Sequence, residues 1–586
     1  MKRPLGKVLF GLLACVCVCT GPFTAKAAYT VRANTDPQVV QVEFHSMLDV
    51  SPQKGFAPVR ISVTNRSSRT ASWQFDFRSG QQTGDMNVFS HAVRVELGAG
   101  ESRIVEVMCP VYPVPATHQM PALTVHMIGP GIERDQARIY SGGYQSSGRG
   151  ALMAMSASIA NRNKSAVEQM ANTGSGRGVT QVATLHLDVF SEDVRGFSGV
   201  DVLLMTPEEW EDLDGGQRYT LTQWIAQGGH LFLVGEPGEG VPQSLRNRMG
   251  ASETLGLGWG SVRMFSREGG AILDAGALLR EAGQALILDP QVLNMDFSSR
   301  NWALRREIRD LRRPVGLIMI TVIAVAVLLG PVNVMVALRR QRPVQLLWVT
   351  PLLSVCLSLC MIVVILLLDG FGGKGLRSLT VFLLPEHNLE VVRQEQVSRT
   401  GVLLNREMRL PRGAVMQMLN VETQGVNQFA NRVSGRFDLL GDETWRGNWF
   451  ASRAIQGQSL QLSRPNRAQL TLFPGQDGAP PELLSSLDVN LEVIFLRDFE
   501  GRHWTADQVR AGSRVRLEPA TEREANTFQQ GLTLRTQERV APVSGAGTFL
   551  AQATPEDGQF LDTLSGIRWD NHRVRYTGLL VQGGGQ

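Results

Sequence analysis

Apolar and polar positions alternate through the first part of the chain. Val40, Val42 and Phe44 alternate with polar neighbours. So do Val59, Ile61 and Val63, then Trp73, Phe75 and Phe77, then Val93 and Val95, and finally Val105 and Val107. A period of two puts one face of each segment into a core and predicts strands. Asn65-Arg66-Ser67-Ser68 and Gly98-Ala99-Gly100-Glu101 supply turns between them. A small β-sandwich is expected over residues 28–132. After a Gly/Ser-rich stretch from Ser141 to Gly148 the pattern changes. Ala151 to Ser156 and Val182 to Leu187 are candidate strands. Gly199 to Met205 is more uniformly apolar, as in a strand covered on both faces. Asp214 with Gln217 three residues on predicts a capped helix start. Leu221, Trp224 and Ile225 form one face of that helix, and Gly228-Gly229 ends it. His230 to Gly235 is the next strand, so a parallel sheet with a right-handed crossover is expected over residues 145–298.

Residues 314–338 and 343–368 each run about 25 residues without a charge. Roughly 20 suffice to cross a bilayer as a helix. Only Arg339, Arg340, Gln341 and Arg342 separate them, which predicts a transmembrane hairpin with a 339–342 loop. Pro331 frees a backbone carbonyl, and Pro351 falls early in the second run. Asn333 is placed to bond the freed carbonyl or a neighbouring helix, so the motif reads as a local kink that sets the packing of the hairpin or as a contact with a partner helix. With no charge inside either span, an ion or proton path is not expected. Over residues 299–313, Leu304, Ile308 and Leu311 share one helical face among arginines. That pattern fits a basic amphipathic helix at the membrane interface, or an extension of the first span into water. Residues 376–586 follow a glycine-rich exit and read as β-rich. Leu379 to Leu384 and Leu491 to Leu496 are strand candidates, and Trp445, Trp449, Trp504 and Trp569 are expected in a core. The fold class expected is therefore multidomain: an Ig-like sandwich, an α/β domain, a two-helix hairpin and a C-terminal β-rich domain.

The first 27 residues read as a secretory signal. Lys2, Arg3 and Lys7 precede an apolar run from Val8 to Val18, and Ala25-Lys26-Ala27 makes a cleavage site. Leu12-Leu13-Ala14-Cys15 loosely matches a lipobox, and a retained anchor is the third reading. An exported N-terminus puts both flanking bodies outside and the hairpin loop inside, where Arg339, Arg340 and Arg342 obey the positive-inside rule. Arg305, Arg306, Arg309, Arg312 and Arg313 lie on the opposite side of the count, so the signal decides. Arg312, Arg313, Arg339, Arg340, Arg342 and Trp348 are the residues expected at the membrane interface. The expected location is a bacterial cytoplasmic membrane, with both large bodies on the exported side.

Charge adds little elsewhere. A formal net charge of +4, with arginine gathered around the hairpin, points to lipid head groups rather than nucleic acid. Of six cysteines, Cys15, Cys17 and Cys19 fall in the signal and Cys356 and Cys360 in the second span. Cys109 alone is left in the exported bodies, which excludes a disulfide within them and a thiolate zinc cluster.

Three segments carry resemblances. "GFAPVRISVTNRS", from Gly55, resembles the Ig-like domains of bacterial envelope proteins, which are spacers or binding modules. "GVDVLLMTPEEWEDLDGGQRYTLTQWIAQGGHLFLVGE", from Gly199, resembles the class I glutamine-amidotransferase-like fold, a flavodoxin-like α/β sandwich. Active members carry a cysteine in the tight turn after a strand like Leu231 to Val234. Here the turn reads Gly235-Glu236-Pro237-Gly238, and the α/β region has no cysteine, so the resemblance implies a non-catalytic relative. Similar domains occur in auxiliary membrane subunits of gliding-motility-type ABC exporters. Gly330-Pro331-Val332-Asn333, Arg339-Arg340-Gln341-Arg342 and Trp348-Val349-Thr350-Pro351 resemble the hairpin of a group of bacterial membrane proteins with an exported amidotransferase-like domain and a β-rich tail.

Candidate chemistry is sparse. Glu208 and Glu209, with Glu211, Asp212 and Asp214 nearby, lie where a strand of an α/β sheet ends, the usual ligand edge. They fit a cation or basic partner, or else a helix start whose dipole favours carboxylates. Glu236, Pro237 and Gly238 form a ligand-loop candidate or a plain turn. Nine histidines include no HExxH, and Gly372-Gly373-Lys374 lacks the spacing of a phosphate loop. No catalytic residue, metal or cofactor is expected. The sequence reads as a non-enzymatic, membrane-anchored envelope protein that binds or scaffolds other membrane or envelope proteins. The alternatives are an auxiliary subunit of an ABC-type exporter, with its ATPase on another chain, and an envelope hydrolase with an unrecognised site.

Overall fold

A computed structural model of the 586-residue chain describes residues 29–80, 87–111, 122–140, 151–175, 178–235, 242, 254–266, 273–288, 302–308, 315–339, 344, 346–419, 421, 435–441, 443–475, 479–534 and 545–584. The chain is multidomain and mostly β, with several sheets and few helices. The signal segment, the 236–238 loop, Arg312, Arg313, Arg340 and Arg342 lie outside the described residues.

The alternating segments near the start form two facing sheets. Tyr29–Arg32, Val40–Ser46, Phe56–Asn65 and Ser102–Pro110 pair antiparallel in that order. Ala71–Gly80, Asn87–Leu97, Ala122–Ile128 and Gln136–Tyr140 belong to the second sheet. Val42, Phe44, Ile61, Val63, Phe75 and Phe77 fill the space between, which is what the two-residue period requires.

The second sheet does not end with the sandwich. Asn87–Leu97 pairs in parallel with Gly435–Leu440, far down the chain, and the sheet continues through Thr444–Gly447 and Glu407–Arg409. The sandwich and the C-terminal part, expected as separate domains, therefore share one seven-stranded sheet. An open edge at Asn87–Leu97 would leave a row of unpaired backbone groups, and the tail strand satisfies them. Phe89 meets Phe437 with ring centroids 4.7 Å apart and Trp449 at 5.0 Å, so the join is also a core.

The α/β part has the strand order Val179–Leu185, Ala151–Ser156, Val202–Met205, His230–Gly235, Gly260–Ser266, Thr254–Leu257, parallel except for the last. Asp214 and Gln217 form the capping box of the helix Gly215–Gln227, and Gly228 ends it at φ 122°. Ala157–Met170 and Ala275–Leu288 pack on one sheet face. Gly215–Gln227 packs on the other, together with residues of the C-terminal body.

That body is built on a nine-stranded sheet in which Gly373–Leu384 and Leu389–Thr400 are central. Trp445 and Trp449 are buried in its core, and Trp504 and Trp569 pack half-buried against it. The segment before the hairpin differs from the expected amphipathic interface helix. Its described part is a five-residue helix, Ala303–Glu307, docked on the large sheet. Trp302 and Leu304 are fully buried with Val397, Leu419 and Leu534. Trp302 Nε1 donates to Glu395 at 2.9 Å, and Glu307 pairs with His572 at 3.2 Å. A tryptophan with an apolar cluster to enter gains more from that core than from a membrane surface.

In the hairpin region, Val315–Val327 and Asn333–Arg339 are α-helical on either side of a π-helical turn, Leu328–Val332, that contains Pro331. Proline removes one helix hydrogen bond and crowds the preceding turn, which widens it. Leu346–Asp369 is the returning helix, its side chains described through Leu359 and at Ile362. Among the described residues no helix is long and apolar enough to cross a membrane.

Two outcomes test this architecture. Phe437→Ala removes a fully buried ring at the shared sheet and is expected to cost about 3–5 kcal/mol. Amide exchange should accelerate in Asn87–Leu97 as well as in Gly435–Leu440; acceleration confined to the tail strand means the two halves are independent. His230 opens a buried strand, and burial, with Arg263 beside it, pushes its imidazole down to about 4 from 6.5. Folding therefore favours the neutral ring. The contribution is complete above pH 6.5 and is lost as pH falls toward 4, by up to about 3 kcal/mol. His230→Gln should flatten this part of the stability profile between pH 7 and 4 in denaturant titrations; parallel profiles for both proteins refute it.

Candidate functional site

The helix Gly215–Gln227 points its C-terminal end at the large sheet of the C-terminal body. Gly229 is required there, because a Cβ would lie 2.1 Å from the Trp224 ring. The last carbonyl of the helix, on Gln227, accepts from Arg393 Nη2 at 3.3 Å and from Gln461 Nε2 at 2.5 Å. Gln227 Nε2 donates to Ser463 Oγ at 2.8 Å. A cation and amide donors at a helix C-terminus complement its partial negative charge. The Arg393 guanidinium also lies 4.2 Å from the centre of the Trp259 ring, held flat by a cation–π contact.

The third wall comes from the sandwich. Lys54 reaches across to Asp201, and both side chains are buried. Asp201 Oδ2 also accepts from the Leu152 backbone N–H at 2.8 Å, so its carboxylate serves two bodies at once. Between these walls lies a small cleft of about 50 Å³, lined by Lys54, Ser198, Trp224, Arg393, Gln417 and Gln461 among others. Among the described residues that line it there is no carboxylate, histidine or cysteine. The cleft offers positive charge, amide and hydroxyl hydrogen bonding and one indole. Among the described lining residues no nucleophile is paired with a base.

The sequence candidates fall elsewhere. Glu208 and Glu209 lie in the first turn of the short helix Pro207–Asp212, at the carboxyl end of Val202–Met205. Glu209 closes a capping box: its Oε2 accepts from the Thr206 N–H at 2.9 Å, and the Thr206 hydroxyl accepts from the Glu209 N–H at 3.2 Å. Its other oxygen accepts from Ser158 Oγ at 2.7 Å. Glu209 is thus the cap of a helix rather than an open ligand. Among the described residues no group of three or more His, Cys, Asp or Glu side chains is placed to hold a metal.

In the hairpin, Asn333 Nδ2 donates to Thr350 Oγ1 at 2.9 Å, one residue before Pro351, and so ties the two helices together. Arg339 and Trp348 are exposed.

The cleft residues were not singled out from the sequence. Lys54, Asp201, Gln227, Arg393 and Gln461 come from distant segments, and no spacing rule links them. One local signal was present: Arg393-Gln394-Glu395-Gln396, a polar run inside an otherwise strand-like segment.

No protein-family model matches the chain, and no curated protein matches it. Among solved structures it is similar to the exo-chitosanase CsxA of Amycolatopsis orientalis, at 15% identity over 33% of this chain and 28% of that one, with a TM-score of 0.17. It is similar to Bacteroides uniformis beta-glucuronidase 2 at 10% identity over 33% of this chain and 22% of that one, with a TM-score of 0.14. A beta-glucuronidase from glycoside hydrolase family 2 matches at 8% identity over 92% of this chain and 62% of that one, with a TM-score of 0.17. The chain spans 28% of the length of the exo-chitosanase, and likenesses at these scores carry no argument about fold or activity.

Proposed function

We propose that this chain is a non-enzymatic envelope protein, anchored in a bacterial cytoplasmic membrane by a two-pass hairpin. Its flanking parts form one binding platform on the exported side. The observation that carries the reading is where apolar surface is left uncovered. Eighteen of the twenty-six exposed large apolar side chains among the described residues lie between Met319 and Ile362. A contiguous apolar surface of this kind marks a membrane or protein interface. The uncharged sequence of both runs favours lipid.

The shared seven-stranded sheet supports the two-pass topology. Strands before and after the hairpin hydrogen-bond to each other, so both parts occupy one compartment. The chain then crosses the bilayer an even number of times. The signal-like start favours the exported side. The strand order of the α/β part and its lack of cysteine support a non-catalytic amidotransferase-like domain, and the antiparallel sandwich supports an Ig-like module.

The full chain is expected to stay with membranes through alkaline carbonate extraction. A variant in which a Gly/Ser linker replaces residues 315–369 should be released. External protease on spheroplasts should cut both the sandwich and the tail. A full chain recovered in the aqueous fraction, or protection of either body, overturns the reading.

A further inference from the structure

The returning helix ends at Asp369, and the chain turns at once into the large sheet. Gly370 and Gly372 adopt φ values of 71° and 77°, open to glycine at little cost. The sheet strand Gly373–Leu384 begins directly after them. Lys374 lies five positions after Asp369, at most about 18 Å of extended chain. Whatever surface this end of the sheet presents must face the plane into which the hairpin inserts.

That surface has two parts. One is a loop at the exit. Val402 N–H donates to the Gly370 carbonyl at 2.9 Å, and Gly372 N–H donates to the Val402 carbonyl at 3.0 Å, which locks the loop to the end of the helix. Leu403 turns into the core at 7% exposure, and its backbone N–H is held by Ser452 Oγ at 3.1 Å. Leu404, the next residue, is 85% exposed, and Phe371 is 63% exposed. Arg406 braces the loop on Asn448 and Ser452 at 3.2 Å each. Two large apolar side chains are thus held outward on a fixed loop, although a buried cluster lies one residue away.

The other part is a row of cations. Arg399, Lys374 and Arg568 stand directly opposite one another on three adjacent strands, so their side chains share one sheet face. Like charges in such positions repel. Asp570 lies on the same face one step further from the exit, beside Leu376, and the buried Glu395 follows it opposite Ser378. Lys374 and Arg568 are exposed. A basic row beside protruding apolar side chains matches the surface of an anionic bilayer, whose head groups take the charges and whose acyl boundary takes the apolar tips.

We propose that this end of the C-terminal sheet is a lipid-docking surface. Phe371 and Leu404 enter the interface, and Lys374, Arg399 and Arg568 meet anionic head groups, so that the platform lies against the bilayer instead of swinging on the hairpin. The proposal rests on the membrane reading above, and the test separates the two. Single spin labels are placed at Leu404→Cys and, for reference, at Leu359→Cys within the returning helix, with the other cysteines replaced by alanine. The full chain is reconstituted in nanodiscs of phosphatidylcholine, with or without phosphatidylglycerol, and label depth is read by collisions with oxygen against a water-soluble nickel reagent.

The expected result is hydrocarbon depth at 359 in both lipids and head-group depth at 404 only with phosphatidylglycerol. Lys374→Glu with Arg568→Glu should return the 404 label to water in those same discs. A label at 404 in water with phosphatidylglycerol present, while 359 lies in hydrocarbon, overturns the docking surface and leaves the anchor standing. Equal immersion of 404 in both lipids overturns the anionic contact. A label at 359 in water overturns both readings.

Discussion

The backbone ladder between Asn87–Leu97 and Gly435–Leu440 is the constraint on which the rest of this structure depends. It closes the chain on itself across the hairpin and makes one body of two apparent domains. A hydrogen-bonded ladder has no tolerance for a bilayer between its strands, since each unpaired backbone group in hydrocarbon costs several kcal/mol. The cleft is a consequence of that closure. Without it, Lys54 of the sandwich and Arg393 of the tail would have no reason to line the same cleft.

The strand Leu389–Thr400 does the second part of the joining. It is almost wholly buried yet carries Glu390, Arg393, Gln394, Glu395 and Gln396. Their partners come from several pieces of chain, with Glu390 and Gln396 both bonding the neighbouring strand Ile455–Pro465 through Arg464 and Gln458. Gln394 exchanges two hydrogen bonds with the backbone of Leu561, at 2.8 and 3.0 Å. Glu395 takes the Trp302 indole N–H, and Arg393 holds the end of the α/β helix. Buried polar groups are costly when unpaired and selective when paired. An apolar strand here would tolerate sliding of the docked pieces; this one fixes the register of each.

Much of the local structure was legible in the sequence. The sandwich strands, the Asp214–Gln217 cap, the Gly228 stop and the strand His230–Gly235 follow from periodicity and from side chains that act within a few residues. What was not legible depends on contacts between distant segments. The tail strand Gly435–Leu440 carries no mark that its partner lies in the sandwich. Trp302 sits beside a basic, amphipathic pattern that fits a membrane surface equally well, and only the pocket made by Val397, Leu419 and Leu534 draws it inward. Glu209 is a different case: its charge fits a ligand or a helix start, and its position three residues after Thr206 makes it a cap.

The parallel ladder also has a consequence in time. Ser90 and Asp438, hydrogen-bonded neighbours across it, are 348 positions apart. At 5–20 residues per second, roughly 20–70 s of synthesis separate them. During that interval the sandwich waits with an open strand. A nascent chain in this condition is vulnerable to pairing with the same edge of a sister molecule, and its rescue is the arrival of its own C-terminal half.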